Sequence, residues 1–141
     1  MIKDLKVNLL SNKAVLPTRA HFTDAGFDIT ATDLCIEDDI FVYGTGVAIE
    51  LPKGTAGLLM CRSSVYRKDL QLCNSVGLID QDFRGELKFK FRATKPNPKL
   101  YNVGDKIGQL VIIDLPLITV SEVKELNKTI RGENGWGSSG R

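Results

Sequence analysis

The sequence has few of the residues from which metal centres and disulfide frameworks are built. Its 141 residues include a single histidine, His21, and three cysteines, Cys35, Cys61 and Cys73. One histidine excludes a histidine-rich metal site. An odd number of cysteines without C-x-x-C spacing argues against both a disulfide framework and a structural zinc site. We therefore expect the cysteines to be buried free thiols.

Long apolar runs and an excess of one charge are also scarce. The first ten residues, MIKDLKVNLL, mix charges into every few positions, unlike a signal peptide, and the run LVIIDLPLITV is interrupted by Asp114 and Pro116, so it is too short to span a bilayer. Nineteen basic residues against seventeen acidic ones leave a formal charge of +2, with the lysines scattered. We expect a cytoplasmic protein that binds neither membrane nor nucleic acid. A small anionic ligand is compatible with this charge.

Alternation of apolar and charged residues is the strongest signal in the chain. The stretch Glu86–Ala93, ELKFKFRA, alternates strictly, as expected for a half-buried antiparallel strand. Shorter β-type runs cover 6–10, 27–31, 40–43, 47–51, 57–61, 107–113 and 118–123, separated by turn residues. This length and pattern predict one all-β domain, a sandwich or barrel.

Only one short helix is predicted, and the chain ends in a glycine-rich arm. The helix covers SSVYRKD and begins with Ser63 or Ser64 as its N-cap. The arm, 127–141, has four glycines and one large ring, Trp136. It cannot build a core, so we expect a β domain over 1–126 and a flexible arm. A large apolar ring is unusual in a solvated tail, because such a tail offers nothing for the ring to pack against.

Three stretches carry residues suited to phosphate or acid–base chemistry. In CRSS, Arg62 and two serines precede free helix N–H groups, which suits phosphate oxygens, although a surface arginine beside a helix cap explains this tetrapeptide more simply. The arm segment RGENGWGSSGR offers hydroxyls, charge and a ring that could stack. Gly77 and Gly85 bracket a predicted hairpin in which Asp80 and Asp82 share a face; such a pair suits a base, a metal site or, most commonly, turn caps.

Taken in order, five stretches resemble the five sequence motifs of the homotrimeric dUTPases. They are AGFDITA (25–31), RSS (62–64), NSVGLIDQDFRGE (74–86), GDKIGQLVI (104–112) and RGENGWGSSG (131–140). Five motifs in the right order over nearly the whole chain are a specific match. The resemblance implies a jelly-roll-like fold and a homotrimer in which the arm of one subunit closes over a site built by the other two. For a viral member, the location would be the host compartment of DNA synthesis.

The resemblance also implies a reaction. It is the hydrolysis of dUTP to dUMP and pyrophosphate by attack of water on the α-phosphorus, which keeps uracil out of DNA and supplies dUMP for dTMP synthesis. Asp80 matches the carboxylate that activates the water, and Arg62 and Gln109 match groups that assist on the phosphates. The implied cofactor is Mg2+, held on the triphosphate. No direct protein ligand is expected, and Asp28 would act on the metal through water.

Substrate-binding residues follow from the same match. Asn74 and the backbone of 77–79 match the uracil pocket, and Arg131 and the arm serines match the grip on the γ-phosphate. The full implied set is Arg62, Ser63, Ser64, Asn74, Gly77, Leu78, Ile79, Asp80, Phe83, Gln109, Arg131, Trp136, Gly137, Ser138 and Ser139. Phe83 stands where the family usually has tyrosine, and Trp136 where it has phenylalanine. Gly108 replaces a common alanine, a change expected to be mild.

Two other functions compete with this interpretation. RSSVYR also resembles the second motif of dCTP deaminase, but Lys90 stands where that family has its catalytic glutamate, and a lysine cannot shuttle protons in the same way. A dUTPase-like fold can also serve chiefly as a protein-binding regulator. Such roles usually depend on inserted segments or altered tails, which this sequence does not show.

Overall fold

The computed structural model describes residues 1–140, which form two antiparallel β-sheets and one short 3₁₀ helix. The strands are β1 (Lys6–Leu9), β2 (Phe27–Thr30), β3 (Asp33–Glu37), β4 (Ile40–Glu50), β5 (Thr55–Met60), β6 (Leu70–Leu72), β7 (Gly77–Ile79), β8 (Glu86–Ala93) and β9 (Lys106–Asp114), and the helix is Ser63–Arg67. Arg141, the last residue of the predicted arm, is outside the described residues. No helix within 1–140 is both long enough and apolar enough to cross a membrane.

The two sheets share one core. The first sheet has the order β1-β4-β8-β6, with β3 also paired to β4, and the second has the order β2-β9-β5-β7. Side chains from both sheets meet in one buried cluster, which includes Tyr43, Phe89 and Phe91 from the first sheet and Ile29 and Leu110 from the second. The predicted all-β architecture and the single helical turn are confirmed.

Strand β8 owes its position to its alternating sequence. Phe89 and Phe91 are at most 1% exposed, while Lys88 and Lys90 point to solvent. The ring of Tyr43 meets Phe91 edge-on at 5.8 Å, and its hydroxyl donates a 2.9 Å hydrogen bond to the carbonyl of Tyr101. The strand therefore buries one face completely, as its pattern predicts.

Strand β4 is a single strand where the sequence predicts two. Its pairing with β8 shifts between Gly44 and Ala48, which marks a bulge. The backbone N–H groups of Thr45 and Gly46 are free of the ladder there and donate to Oε1 of Glu86 at 3.1 and 2.8 Å. The turn-like residues in YGTG thus form an irregularity inside one strand and do not end it.

Several predictions about elements and burial are wrong. The segment 118–123 is not a strand and is exposed, and the strands β3, β6 and β7 were not predicted. Cys35 and Cys73 are exposed, because the first lies on the outward face of β3 and the second in the turn after β6; Cys61 is half-buried. The thiols are free, but two of them are not buried.

Candidate active site

Three adjacent strands bring Asp28, Gln109 and Arg62 together at one end of the second sheet. Asp28 on β2 pairs with Gln109 on β9, and Gln109 pairs in turn with Met60 at the end of β5. Arg62 lies two residues after the end of β5, and its Nε donates to Oδ1 of Asp28 at 3.0 Å. A charge-assisted contact of this kind fixes the guanidinium at the edge of the sheet.

Lys106 completes this cluster and was not predicted as part of it. Its Nζ lies 3.3 Å from Oδ2 of Asp28, so each carboxylate oxygen faces one cation. The β2–β9 register shifts between Ile29 and Thr30, which places Lys106 opposite Thr30. The sequence does not predict this bulge. The regular alternation of side chains along the two strands therefore does not predict that Lys106 contacts Asp28.

The amide of Gln109 is held in one orientation. Its Nε2 donates to the carbonyl of Cys61 at 3.0 Å, and Gly26 lies so close to Oε1 that a Cβ at position 26 would overlap it. These groups line an open depression of about 340 Å³, which we name the Arg62 groove. Its lining residues are Ala20, Asp24, Ala25, Gly26, Asp28, Arg62, Ser63 and Gln109.

The short helix begins at this groove but is not capped as predicted. Arg62 is the N-cap residue, and no side chain caps the helix. Ser63 and Ser64 both lie inside the helix, so neither hydroxyl caps a backbone N–H. Ser63 lines the Arg62 groove, whereas Ser64 lines a neighbouring depression that also contains Arg62. The predicted phosphate-binding residues are therefore divided between two adjoining surfaces.

Strand β7 is the outer strand of the second sheet. Within residues 1–140 it pairs only with β5, with Gly77 opposite Leu59 and Ile79 opposite Gly57. Its other edge presents unpaired backbone N–H and C=O groups. The Asn74 amide lies against Gly77, since a Cβ there would be 3.4 Å from Nδ2, and Leu78 is exposed. The predicted uracil-binding residues thus form one surface with free backbone donors and acceptors.

The stretch from Asp80 to Gly85 is a crossover between the sheets, so the predicted hairpin is wrong. The strand before it, β7, pairs with β5, and the strand after it, β8, pairs with β4 and β6. A turn with a 3.1 Å hydrogen bond from Phe83 N to Asp80 O replaces extended backbone. Asp80 and Asp82 are exposed, but the extended geometry that would align them on one face is not present.

Asp80 and Arg62 lie far apart in one chain. Asp80 comes directly after Ile79, which pairs with Gly57 near the start of β5, while Arg62 follows the end of β5. Since a strand rises about 3.3 Å per residue, the two positions are separated by roughly 20 Å. One chain therefore does not bring the predicted base to the predicted phosphate-binding arginine.

The arm residues contact little of the chain that carries them. Trp136 is fully exposed, and Arg131, Gly137, Ser138 and Ser139 are exposed as well. The hydrogen bonds in this segment are internal, from Arg131 Nε to Asn134 O at 2.9 Å and from Ser138 N to Gly135 O at 3.0 Å. The fifth motif is thus not assembled onto the Arg62 groove of the same chain.

The described residues offer no protein cage for a metal ion. Within 1–140 there is no group of three His, Cys, Asp or Glu side chains placed to hold one. Asp28 already faces two cations. A magnesium ion at this site would therefore take its oxygens from a ligand and from water.

Lys90 lies away from all of these groups. It is on the outward face of β8, and its Nζ is 4.0 Å from Oε2 of Glu37. The deaminase alternative needs a glutamate at this position. The structure instead places a solvent-exposed lysine there, in the first sheet, whereas Asp28 and Gln109 lie in the second.

Comparison with known proteins agrees with this geometry. The dUTPase family model matches residues 12–140. The deoxyuridine 5'-triphosphate nucleotidohydrolase of Corynebacterium glutamicum is 41% identical, covering 97% of this chain and 95% of that protein. The corresponding protein of Clostridium kluyveri is 36% identical, covering 97% and 98%.

Solved structures show the same likeness. The dUTPase of Staphylococcus bacteriophage 80alpha with dUpNHpp superposes with a TM-score of 0.80 at 30% identity, covering 98% of this chain and 99% of that chain. A dUTPase from phage phi11 of S. aureus, described with a structural Mg(II) ion, has a TM-score of 0.72 at 28% identity, covering 89% and 99%. The predicted jelly-roll-like fold is confirmed. The chain belongs to the dUTPase family.

Proposed function

We propose that this protein hydrolyses the magnesium complex of dUTP to dUMP and pyrophosphate. The observation that carries the proposal is the family match over residues 12–140. The structure agrees with it, because the residues suited to bind the phosphates, the uracil and the attacking water each lie on a defined surface of the fold. Curated relatives carry the name deoxyuridine 5'-triphosphate nucleotidohydrolase. The reaction belongs where DNA precursors are made, which for a cellular member is the cytoplasm.

The Arg62 groove would hold the phosphate chain. Arg62 is oriented by Asp28 at 3.0 Å, and the Gln109 amide is fixed by the carbonyl of Cys61. Ser63 lies in the same groove with its hydroxyl not engaged in capping. In phosphoryl transfer the protein contributes mainly position and charge stabilisation. These preset donors supply both.

The free edge of β7 would read uracil. Its backbone groups at 77–79 and the neighbouring Asn74 amide offer a fixed pattern of donors and acceptors. Cytosine presents the opposite pattern at two positions, so it would leave polar groups unpaired in a closed site. Phe83 would pack on the deoxyribose and leave no room for a 2'-hydroxyl, because its ring is fixed beside Gly85.

Asp80 would hold and activate the attacking water. It follows the last residue of the uracil-reading strand and is exposed, so it can reach a water placed between base and phosphates. Ionised aspartate accepts a proton in the transition state. Bound magnesium would neutralise charge on the phosphate oxygens.

We further propose a homotrimer with shared sites. The roughly 20 Å between Asp80 and Arg62 along β5 supports this, because one site that uses both must take them from different chains. The arm, 127–141, would close over a site built by two neighbours. Leu117, Val120, Ile130 and Trp136 are almost fully exposed on their own chain, and packing on a neighbouring subunit would cover them.

Pyrophosphate release tests the activity. The intact protein should release pyrophosphate from dUTP in the presence of magnesium and release little from dCTP, dTTP or UTP. Asp80→Asn should remove this activity, whereas Asp82→Asn, the matched control two residues away, should retain most of it. Uracil nucleotide formed from dCTP would favour the deaminase alternative, and an active Asp80→Asn protein would exclude Asp80 as the base.

A further inference from the structure

A second depression adjoins the Arg62 groove and has a strongly basic lining. It has a volume of about 290 Å³ and shares Arg62 with the groove. We name it the basic basin. Its lining residues are Arg62, Ser64, Arg67, Lys68, Lys99, Tyr101, Asp105 and Lys106. Five cations thus face one carboxylate, although the sequence places them in two distant segments, 62–68 and 99–106.

Three of these cations have no carboxylate partner. Arg62 and Lys106 share Asp28, but within residues 1–140 no carboxylate lies within 4.0 Å of the charged atoms of Arg67, Lys68 or Lys99. The one acid in the lining, Asp105, accepts a hydrogen bond from the backbone of Asn102 at 2.8 Å. The basin therefore has an excess of positive charge that an anion would compensate.

Tyr101 forms an apolar part of the basin wall. It lines the basin and is only 5% exposed. Its ring packs edge-on against Tyr43, with the ring centres 6.2 Å apart, and its hydroxyl is buried away from solvent. The groups that can contact an anion in the basin are therefore the cations of its lining.

The walls of the basin are held by contacts of their own. Lys68 donates from Nζ to the carbonyl of Leu100 at 3.0 Å, and its ammonium lies 5.0 Å from the centre of the Tyr101 ring. The backbone N–H of Lys99 donates to Oδ2 of Asp69 at 2.6 Å. The backbone at Lys99 and Leu100 is thus held against Lys68 and Asp69, which follow the 3₁₀ helix.

We propose that the basic basin binds a second phosphate-type anion, such as inorganic pyrophosphate, separate from the nucleotide in the Arg62 groove. Its oxygens would accept hydrogen bonds from Lys99 and Arg67, and these ionised donors would make the bonds strong. This inference goes beyond the proposed function. Because Arg62 belongs to both surfaces, an anion in the basin would also contact the arginine that holds the substrate phosphates.

Calorimetric titration with pyrophosphate tests the proposal without any turnover. With the nucleotide site saturated by dUpNHpp, pyrophosphate should still bind at about one per chain. The double variant Arg67→Gln/Lys99→Gln should weaken this binding by at least about tenfold, as expected for lost charged hydrogen bonds. Lys13→Gln, an exposed lysine outside the basin, is the matched control and should bind as the unmodified protein does.

Two results would overturn the proposal. One is no pyrophosphate binding once dUpNHpp is bound, which would mean that the anion uses only the nucleotide site. The other is equal binding by the double variant and the control. If the protein binds no dUpNHpp, the proposed function is in error, but titration of the free protein and the same variants still decides whether the basin binds the anion.

Discussion

The ring of Phe83 lies directly against Gly85. A Cβ at position 85 would come within 2.6 Å of Cζ and 3.1 Å of Cε2 of that ring. The ring is 42% exposed, so one side rests on the glycine backbone and another faces solvent. The position of the ring therefore depends on a glycine two residues later in the crossover between the sheets.

Gly85→Ala is expected to reduce discrimination against ribonucleotides. The added methyl group displaces the Phe83 ring, which we propose blocks the 2'-hydroxyl. The ratio of kcat/KM for dUTP to that for UTP should fall by about tenfold, the scale of one poorly filled contact. Steady-state pyrophosphate release from both nucleotides measures the ratio. Phe83→Tyr keeps the ring and should keep the ratio; an unchanged ratio in Gly85→Ala would remove Phe83 from sugar selection.

Asp28→Asn is expected to weaken substrate binding through Arg62. The substitution keeps the shape of the side chain but removes the charge that faces Arg62 Nε at 3.0 Å and Lys106 Nζ at 3.3 Å. The pair is partly exposed, with side-chain exposures of 35% for Arg62 and 19% for Asp28, so solvent screening reduces its contribution. We expect KM for dUTP to rise about tenfold, with a smaller change in kcat. Asp39→Asn, in an exposed turn between β3 and β4, is the control. A KM unchanged by Asp28→Asn would show that Arg62 needs no such anchor.

Asp69 is expected to make stability depend on acid pH. The backbone N–H of Lys99 donates to its carboxylate and lowers its pKa, with a further contribution from Lys95. Because the folded pKa lies below the ordinary aspartate value of about 4, this stabilisation is present above that value and is lost as the pH falls through the folded pKa. Asp69→Asn should make urea midpoints less sensitive to pH between 5 and 2. The control Asp82→Asn should retain the slope of the unmodified protein.

Gly108→Ala is expected to destabilise the fold, although sequence comparison suggests a mild change. A Cβ at Gly108 would overlap the ring of Phe89, which is 1% exposed in the core. Overpacking of this kind costs about 1–3 kcal/mol. Urea denaturation should show this loss of unfolding free energy. The loss caused by Gly108→Ala should be smaller when Phe89→Leu is also present, because the smaller side chain makes room for the added methyl group. A loss that is the same with and without Phe89→Leu would mean that the two positions do not clash.

The β-strands differ in how well the sequence predicts them. Glu86–Ala93 was predictable because all of its apolar partners lie in the same chain. The apolar run at 118–123 predicts burial just as well, but Ile118 and Val120 are 75% and 97% exposed on their own chain. An apolar sequence pattern predicts that a face is buried, but it does not predict whether the same chain or another molecule buries it.

The candidate site was predictable by residue type but not by arrangement. Turn residues around Asp80 predict that the chain reverses, yet the following strand joins the other sheet. Pairing between distant strands decides this outcome, and local turn chemistry carries no information about it. The basic basin was missed for a related reason, since Arg67 and Lys99 are separated by more than thirty positions in the sequence.

Mixing two inactive variants is expected to restore activity. Asp80→Asn and Arg62→Ala each damage every site of a uniform trimer. If a site takes Asp80 from one chain and Arg62 from another, random mixed trimers contain both intact groups in about a quarter of their sites. Co-refolding the two proteins at equal amounts should therefore recover roughly a quarter of the normal pyrophosphate release, whereas the separately refolded proteins, as controls, should stay inactive. If both groups came from the same chain, every site in the mixture would lack one of them, so a mixture that stays inactive despite verified subunit exchange would contradict the shared site.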